Sequence, residues 1–377
     1  MPPTPTPLAA ALSSLPIGDS EVPGVSRVLA LANNENVEAP SVDVVAAITQ
    51  AAHNANRYPD IAARSLRRRL AKVHCDINAD HMLVGVGAGE LIALVTQAYC
   101  GPGDEVIVGD HGYAYFGIAS RAVGARVVTA TTPTGSNRAG FSVRGALAAV
   151  TPATRVVFVD NPANPLGTYL NATQIRALRA GLPDDVLLVF DCAYAEYATA
   201  ADFECGDELV RRSDNTMVIR TFSKVYGLAG MRIGWAHAHT DILGNLTRVQ
   251  RPGNFSSPGL AAAEAALQES ALIDARIQRN ELTRSAFTEA LTNLGLEVTP
   301  SQANFILVTL PHGTPPGADR LRAALASEGI LVRGMAPYDL PQSLRISLGS
   351  ADDMSCVAQA IEHILRAPRQ RHFPASQ

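Results

Sequence analysis

Between about residues 42 and 250, short runs of β-branched and other apolar residues alternate with longer stretches of helical periodicity. The strand-like runs cover 82–86, 105–108, 126–131, 155–159, 186–190 and 216–220. Amphipathic stretches such as 90–100, 115–123 and 172–181 lie between them, and a polar turn at 56–60 leads into a helical pattern over 62–73. Strands punctuated by helices predict a mostly parallel sheet covered on both faces. After Arg251-Pro252-Gly253 the pattern changes. A long helical stretch over 258–294 precedes strand-like 304–309, a helix near 318–328, strand-like 330–333 and 344–348, and a final helix. That order predicts a smaller α+β domain. The expected division is an N-terminal arm over 1–41, a large domain over 42–252 and a small domain over 253–377.

Composition narrows the function classes. With 377 residues, 47% hydrophobic and 18% charged, the chain has material for a large core. A net charge of −4 gives no basic footprint for nucleic acid or an anionic membrane. The five cysteines, Cys75, Cys100, Cys192, Cys205 and Cys356, are dispersed, which argues against a disulfide framework or a zinc site and for reduced, mostly buried thiols. No Lys or Arg precedes Arg27 and no apolar run is long enough to span a bilayer, so the expectation is a cytoplasmic protein with no membrane partner and no metal.

In an open parallel sheet, ligands sit at the carboxyl ends of the strands. Unusual residues gather at five such ends: 85–90, 110–113, 161–167, 191–194 and 221–224. The last opens Thr221-Phe222-Ser223-Lys224-Val225-Tyr226-Gly227-Leu228-Ala229-Gly230-Met231-Arg232. A lysine at an apolar strand end is either snorkelling or chemically employed, because burying its charge is costly. Asp191 after the run 186–190 could cap a helix. Asn161-Pro162-Ala163-Asn164-Pro165-Leu166-Gly167 reads as a turn-rich loop, and Gly85-Val86-Gly87-Ala88-Gly89-Glu90 as a weak anion-binding turn at a helix N-terminus.

Taken in order, these motifs resemble fold-type I pyridoxal-phosphate aminotransferases of class I/II, and specifically the histidinol-phosphate aminotransferase branch. The resemblance runs from Asn33-Asn34-Glu35-Asn36 to Gly349. It implies a mostly parallel seven-stranded sheet with helices on both faces, and pyridoxal 5'-phosphate held by Lys224 as a Schiff base. Lys224 would also move the proton in the reaction. Thr221, Ser223 and Arg232 match positions that hold the cofactor phosphate, with Ala88 and Gly89 at the glycine-rich turn. Asp191 matches the partner of the pyridine nitrogen, Tyr194 and Asn164 the contacts of the phenolic oxygen, and Tyr113 the ring stacked on the cofactor. Tyr58, in Asn56-Arg57-Tyr58-Pro59, matches a tyrosine that reaches the phosphate of a neighbouring subunit, which implies a homodimer with shared active sites. Arg345 matches the clamp for a substrate α-carboxylate, Arg333 a second substrate-side arginine, and Asn33 and Asn304 lie in further shared segments.

Departures fall on the substrate side. Leu166 stands for the usual Thr, and His111 in Asp110-His111-Gly112-Tyr113 for a proline, where a surface histidine is the simpler reading. Glu21 stands where relatives have an aromatic residue, residues 36–40 lack the expected Pro and Gly, and 251–255 has an altered order. These changes lead to an amino acid donor other than histidinol phosphate, with Glu21 favouring a polar or cationic side chain unless it pairs with Arg333. The leading expectation is therefore transfer of an amino group between an amino acid, or an amino-alcohol phosphate, and a 2-oxo acid. A pyridoxal-phosphate decarboxylase, lyase or cyclase is the alternative, and a non-catalytic sensor the third reading.

Overall fold

The computed structural model describes residues 3–12, 28–75, 77–131, 140–311, 313 and 317–366. Its centre is a seven-stranded sheet built from β1 (Met82–Gly85), β2 (Glu105–Gly109), β3 (Arg126–Ala130), β4 (Thr154–Asp160), β5 (Leu187–Asp191), β6 (Thr216–Thr221) and β7 (Gly234–Ala238), in the spatial order β1-β7-β6-β5-β4-β2-β3. Neighbouring pairs from β6 through β3 are parallel, and β7 is antiparallel to both of its neighbours. Six strands match the runs visible in the sequence to within two residues at either end. The seventh, Gly234-Trp235-Ala236-His237-Ala238, has too few β-branched residues to announce itself, yet all five residues are buried.

Period-two alternation sorts the strand side chains into two cores. Phe158, Val189, Met217 and Ile219 pack with Leu91 and Phe116 on one face, while Val157, Val159, Leu188, Phe190 and Val218 pack with Ile175 and Leu178 on the other. The Phe116 and Phe158 rings stack at 4.8 Å. Helix Ala172–Gly181 starts in a capping box, in which Asn171 and Gln174 each accept the other's backbone N–H.

The second sheet holds β8 (Glu297–Thr299), β9 (Phe305–Thr309), β10 (Arg333–Gly334) and β11 (Ser343–Ser347), all antiparallel, in the order β10-β11-β9-β8. Leu29–Ala30 pairs in parallel with Ile330–Leu331, which ties the early chain to this part of the molecule and brings Asn33 to Glu35 over the ends of the central strands. Among the described residues no helix is long and apolar enough to cross a membrane.

Several local readings need correction. The single helix expected over 258–294 is two, Ser257–Ala266 and Ser270–Asn293. Tight turns at Gln268 and Glu269 separate them, where the Glu269 carboxylate accepts from the Ser41 hydroxyl at the N-cap of Val42–Ala52. The helix expected over 62–73 is Arg64–Leu70 followed by a π turn, Ala71–Cys75. Among the four cysteines whose side chains are described, Cys192 is buried, Cys100 and Cys205 are partly exposed and Cys356 is exposed, so these thiols are not mostly buried.

Gly234 opens β7 where it passes under the turn after β1. A Cβ there would lie 2.7 Å from the Gly87 backbone carbon and 2.8 Å from Ala88 N and Arg220 O. Backbone atoms cannot rotate away, so Gly234→Ala is expected to cost about 1–3 kcal/mol. Denaturant unfolding of the purified variant measures that loss; unchanged stability contradicts this packing.

Candidate functional site

All five unusual strand ends line one cavity of about 520 Å³, together with Asn33, Asn34 and Glu35 from the early chain and Arg333, Tyr338 and Arg345 from the second sheet. Parallel register explains the convergence. β4, β5 and β6 end side by side, so Asp160 lies opposite Asp191, and β6 closes at Thr221.

Lys224 follows β6 by three residues. Its Nζ donates to Asn34 O at 3.1 Å and Asn33 O at 3.3 Å and sits 5.6 Å from the centroid of the Tyr194 ring. Burial and the Arg345 guanidinium push the amine down to about 8, against an opposing pull from Glu35 and Asp191. The chain contains two lysines, Lys224 and the exposed Lys72, against 29 arginines.

One side of the cavity is shaped for an anion. Helix Gly87–Tyr99 begins there, and its first-turn residues Ala88 and Gly89 face the space. Gly87 has φ +73, and a Cβ on it would sit 2.9 Å from Arg232 Nη2. Arg232 itself adopts left-handed geometry, φ 57 and ψ 50, and its Nη1 donates to Ala229 O at 2.9 Å. The Thr221 hydroxyl donates to Ser223 Oγ at 2.9 Å. Two hydroxyls, a guanidinium and a helix N-terminus thus surround one corner.

On the cavity floor Asp191 is 4% exposed. Its Oδ1 accepts the Ala193 N–H at 3.1 Å, a loop contact, since the short turn Ala195–Tyr197 has no side-chain cap. Burial pushes its carboxyl up to about 7. The Tyr194 hydroxyl accepts from Asn34 Nδ2 at 3.0 Å, and burial pushes it up to about 12. Tyr113, on the wall, precedes helix Ala114–Ala122, and burial also raises its phenol.

Arg345 is 4% exposed and points its Nη2 at Ala32 O (2.6 Å) and its Nη1 at Asn164 Oδ1. Its Nε has no partner, and among the described residues no carboxylate pairs with it. Burial lowers its pKa, helped by Arg333, its register partner on β10. Both guanidiniums line the cavity.

Three expectations fare differently. Tyr58 is 89% exposed and does not line the cavity. Glu21 lies outside the described residues. His111 is not a surface histidine: it is half-buried and its Nδ1 lies 2.9 Å from Tyr338 O, joining the turn after β2 to the second sheet's loop. Leu166 has a packing reason, being fully buried with Ala163, Leu307 and Met335. Asp160, Asn34, Glu35 and Tyr338 were not singled out from sequence. Asp160 carried a usable signal, because an aspartate closes the apolar run of β4 just as Asp191 closes β5.

The lowered pKa of Lys224 has a consequence for stability. The fold disfavours the charged amine, so its penalty is full below pH 8 and fades as pH rises towards the ordinary value near 10.5. In protein freed of any ligand, Lys224→Met is therefore expected to gain most over wild type below pH 8. Thermal unfolding across pH 6 to about 10 checks this; a gain that grows with pH contradicts it.

Known proteins show the family to which the chain belongs. The profile of the family "Aminotransferase class I and II" matches residues 26–364. The chain is 40% identical to a histidinol-phosphate aminotransferase of Paramagnetospirillum magneticum, over 93% of this chain and 95% of that protein. It is 42% identical to one from Rhodospirillum centenum, over 91% and 93% respectively. Among solved structures, histidinol-phosphate aminotransferase from Sinorhizobium meliloti in complex with pyridoxal-5'-phosphate superposes with TM-score 0.86 at 28% identity, covering 96% of this chain and 97% of that one. With the family matched along almost its whole length, the chain belongs to the class I and II aminotransferases.

Proposed function

We propose that this aminotransferase works with pyridoxal 5'-phosphate on Lys224 and takes an amine donor that carries a phosphate, with L-histidinol phosphate as the first candidate and a 2-oxo acid as acceptor. The observation that carries the reading is the pocket lysine. Among protein side chains, lysine is the one whose primary amine forms a reversible Schiff base with an aldehyde, and a chain with 29 arginines places one of its two lysines here. The cofactor, when bound, supplies that aldehyde and an electron-withdrawing ring that stabilises the electron pair left when the substrate's α-proton departs.

The residues present fit that group. The corner formed by Ala88, Gly89, Thr221, Ser223 and Arg232 would take the phosphate, and the Gly87 cradle leaves it room. Asp191 would hold a proton on the ring nitrogen, Tyr194 and Asn164 would donate to the phenolic oxygen, and Tyr113 would stack on the ring. With its pKa near 8, about a tenth of Lys224 is neutral at pH 7, so Nζ can attack and can carry a proton between carbons. Asn33 and Asn34, through their carbonyl oxygens, orient that amine.

The paired arginines favour an anionic donor over the cationic one suggested by Glu21. Arg345 would take one anionic group and Arg333 another. The named activity of the relatives supplies the candidate. Tyr58, exposed and away from its own cavity, is read as serving the phosphate of a second copy in a homodimer.

The test is to mix the pyridoxal-phosphate-loaded protein with single donors and follow the cofactor spectrum. Histidinol phosphate is expected to bleach the lysine-bound chromophore to the amine form, Lys224→Ala to abolish the conversion, and borohydride to label Lys224 and not Lys72. Conversion by lysine or arginine but not by histidinol phosphate overturns the donor assignment, and label on Lys72 alone overturns the cofactor one. For Tyr58, Tyr58→Phe is expected to weaken cofactor retention by about 1.5–3 kcal/mol, the worth of one charge-assisted hydrogen bond. A fully active monomer in sedimentation contradicts the shared site.

A further inference from the structure

Asp160 has no role in the reading above, yet it is built into the cavity. It ends β4 as Asp191 ends β5, and parallel register sets the two opposite each other, 6% and 4% exposed. Neither forms an ion pair among the described residues. A buried acid beside another buried acid is costly, and a fold keeps one where its oxygens are used.

One oxygen of Asp160 is used twice. Its Oδ2 accepts the Asn164 N–H at 2.7 Å and the Tyr113 N–H at 3.1 Å. These amides belong to two separate segments, the loop after β4 and the turn before helix Ala114–Ala122. Each segment carries a side chain into the cavity. Asn164 is held further through its Oδ1 by Arg345, and His111, two residues before Tyr113, meets the Tyr338 carbonyl of the second sheet's loop at 2.9 Å. Asp160 is thus the large sheet's own anchor for both segments.

We infer that Asp160 is a positioning residue of the active site, which clips the Tyr113 turn to the Asn164 loop and so fixes the ring wall and the phenol-facing amide relative to Asp191. Burial, with Asp191 adding to it, pushes the Asp160 carboxyl up to about 7. Tyr338 faces it from the second sheet's side and Lys224 faces Asp191. The clip itself needs an acceptor oxygen and no charge, so an amide should replace it. The consequence for the cofactor rests on the pyridoxal-phosphate reading, whereas the clip does not.

The experiment compares wild type, Asp160→Asn and Asp160→Ala. Amide hydrogen exchange at Tyr113 and Asn164 is read in cofactor-free protein, and release of pyridoxal phosphate and the pH at which its lysine-bound chromophore changes colour are read in loaded protein. In Asp160→Ala both amides are expected to exchange about tenfold faster, roughly the worth of one hydrogen bond. Cofactor release should quicken, the chromophore's titration should shift, and kcat should fall more than KM rises. Asp160→Asn should restore all of these. Protected amides and unchanged release in Asp160→Ala overturn the inference, as does an Asp160→Asn as impaired as Asp160→Ala. Asp160→Ser replaces the alanine variant if that does not fold. A wild type that never forms the lysine-bound chromophore defeats the cofactor reading, while the exchange data still decide the clip.

Discussion

A parallel sheet buried on both faces places a charge without an ion-pair partner most cheaply at the ends of its strands. Here every side chain of β4 from Val156 to Val159 and of β5 from Leu187 to Phe190 is taken up by one core or the other. The first polar position after these apolar runs is the last residue of each strand, and it is an aspartate in both cases. Because the strands run side by side in register, their ends form a row instead of a scatter. The chemistry of this protein follows from that geometry. Burial raises the two carboxyls and lowers the lysine.

The second sheet answers with the opposite charge. Arg333 and Arg345 are register partners and project together at the same cavity. Arg345 is more deeply held, spanning Ala32 and Asn164, and a guanidinium fixed in this way keeps its orientation between turnovers. Acidic floor, basic wall and a helix N-terminus divide the cavity into regions of different sign.

Much of this was legible beforehand. Alternation and punctuation pointed to six central strands, the motifs at their ends to Lys224, Asp191, Tyr194 and Asn164, and the family resemblance to Arg345 in the second sheet. What escaped is instructive. β7 was hidden because its small residues are selected by close packing against the Gly87 turn, a tertiary constraint without a local pattern. The break between Ser257–Ala266 and Ser270–Asn293 depends on a long-range contact of Glu269 with Ser41, and no glycine or proline marks it. His111 read as surface because its partner, the Tyr338 carbonyl, lies 227 residues away. Asp160 hid in plain sight beside a louder motif.

The same distances along the chain bear on how the molecule folds. Lys224 meets Asn34 across 190 residues, Asn304 meets Asn34 across 270, and Asn34 and Ser347 bond across 313. The cavity draws on residues from 33 to 345, so its formation must wait for loops of very different length to close. The central sheet, whose neighbours are mostly nearer in sequence, can condense first. The early strand Leu29–Ala30 must then find Ile330–Leu331 before Asn33 and Asn34 are delivered to the lysine. Competence to hold a ligand here is a late event in folding, and a chain emerging from the ribosome acquires it only after its C-terminal third has been synthesised.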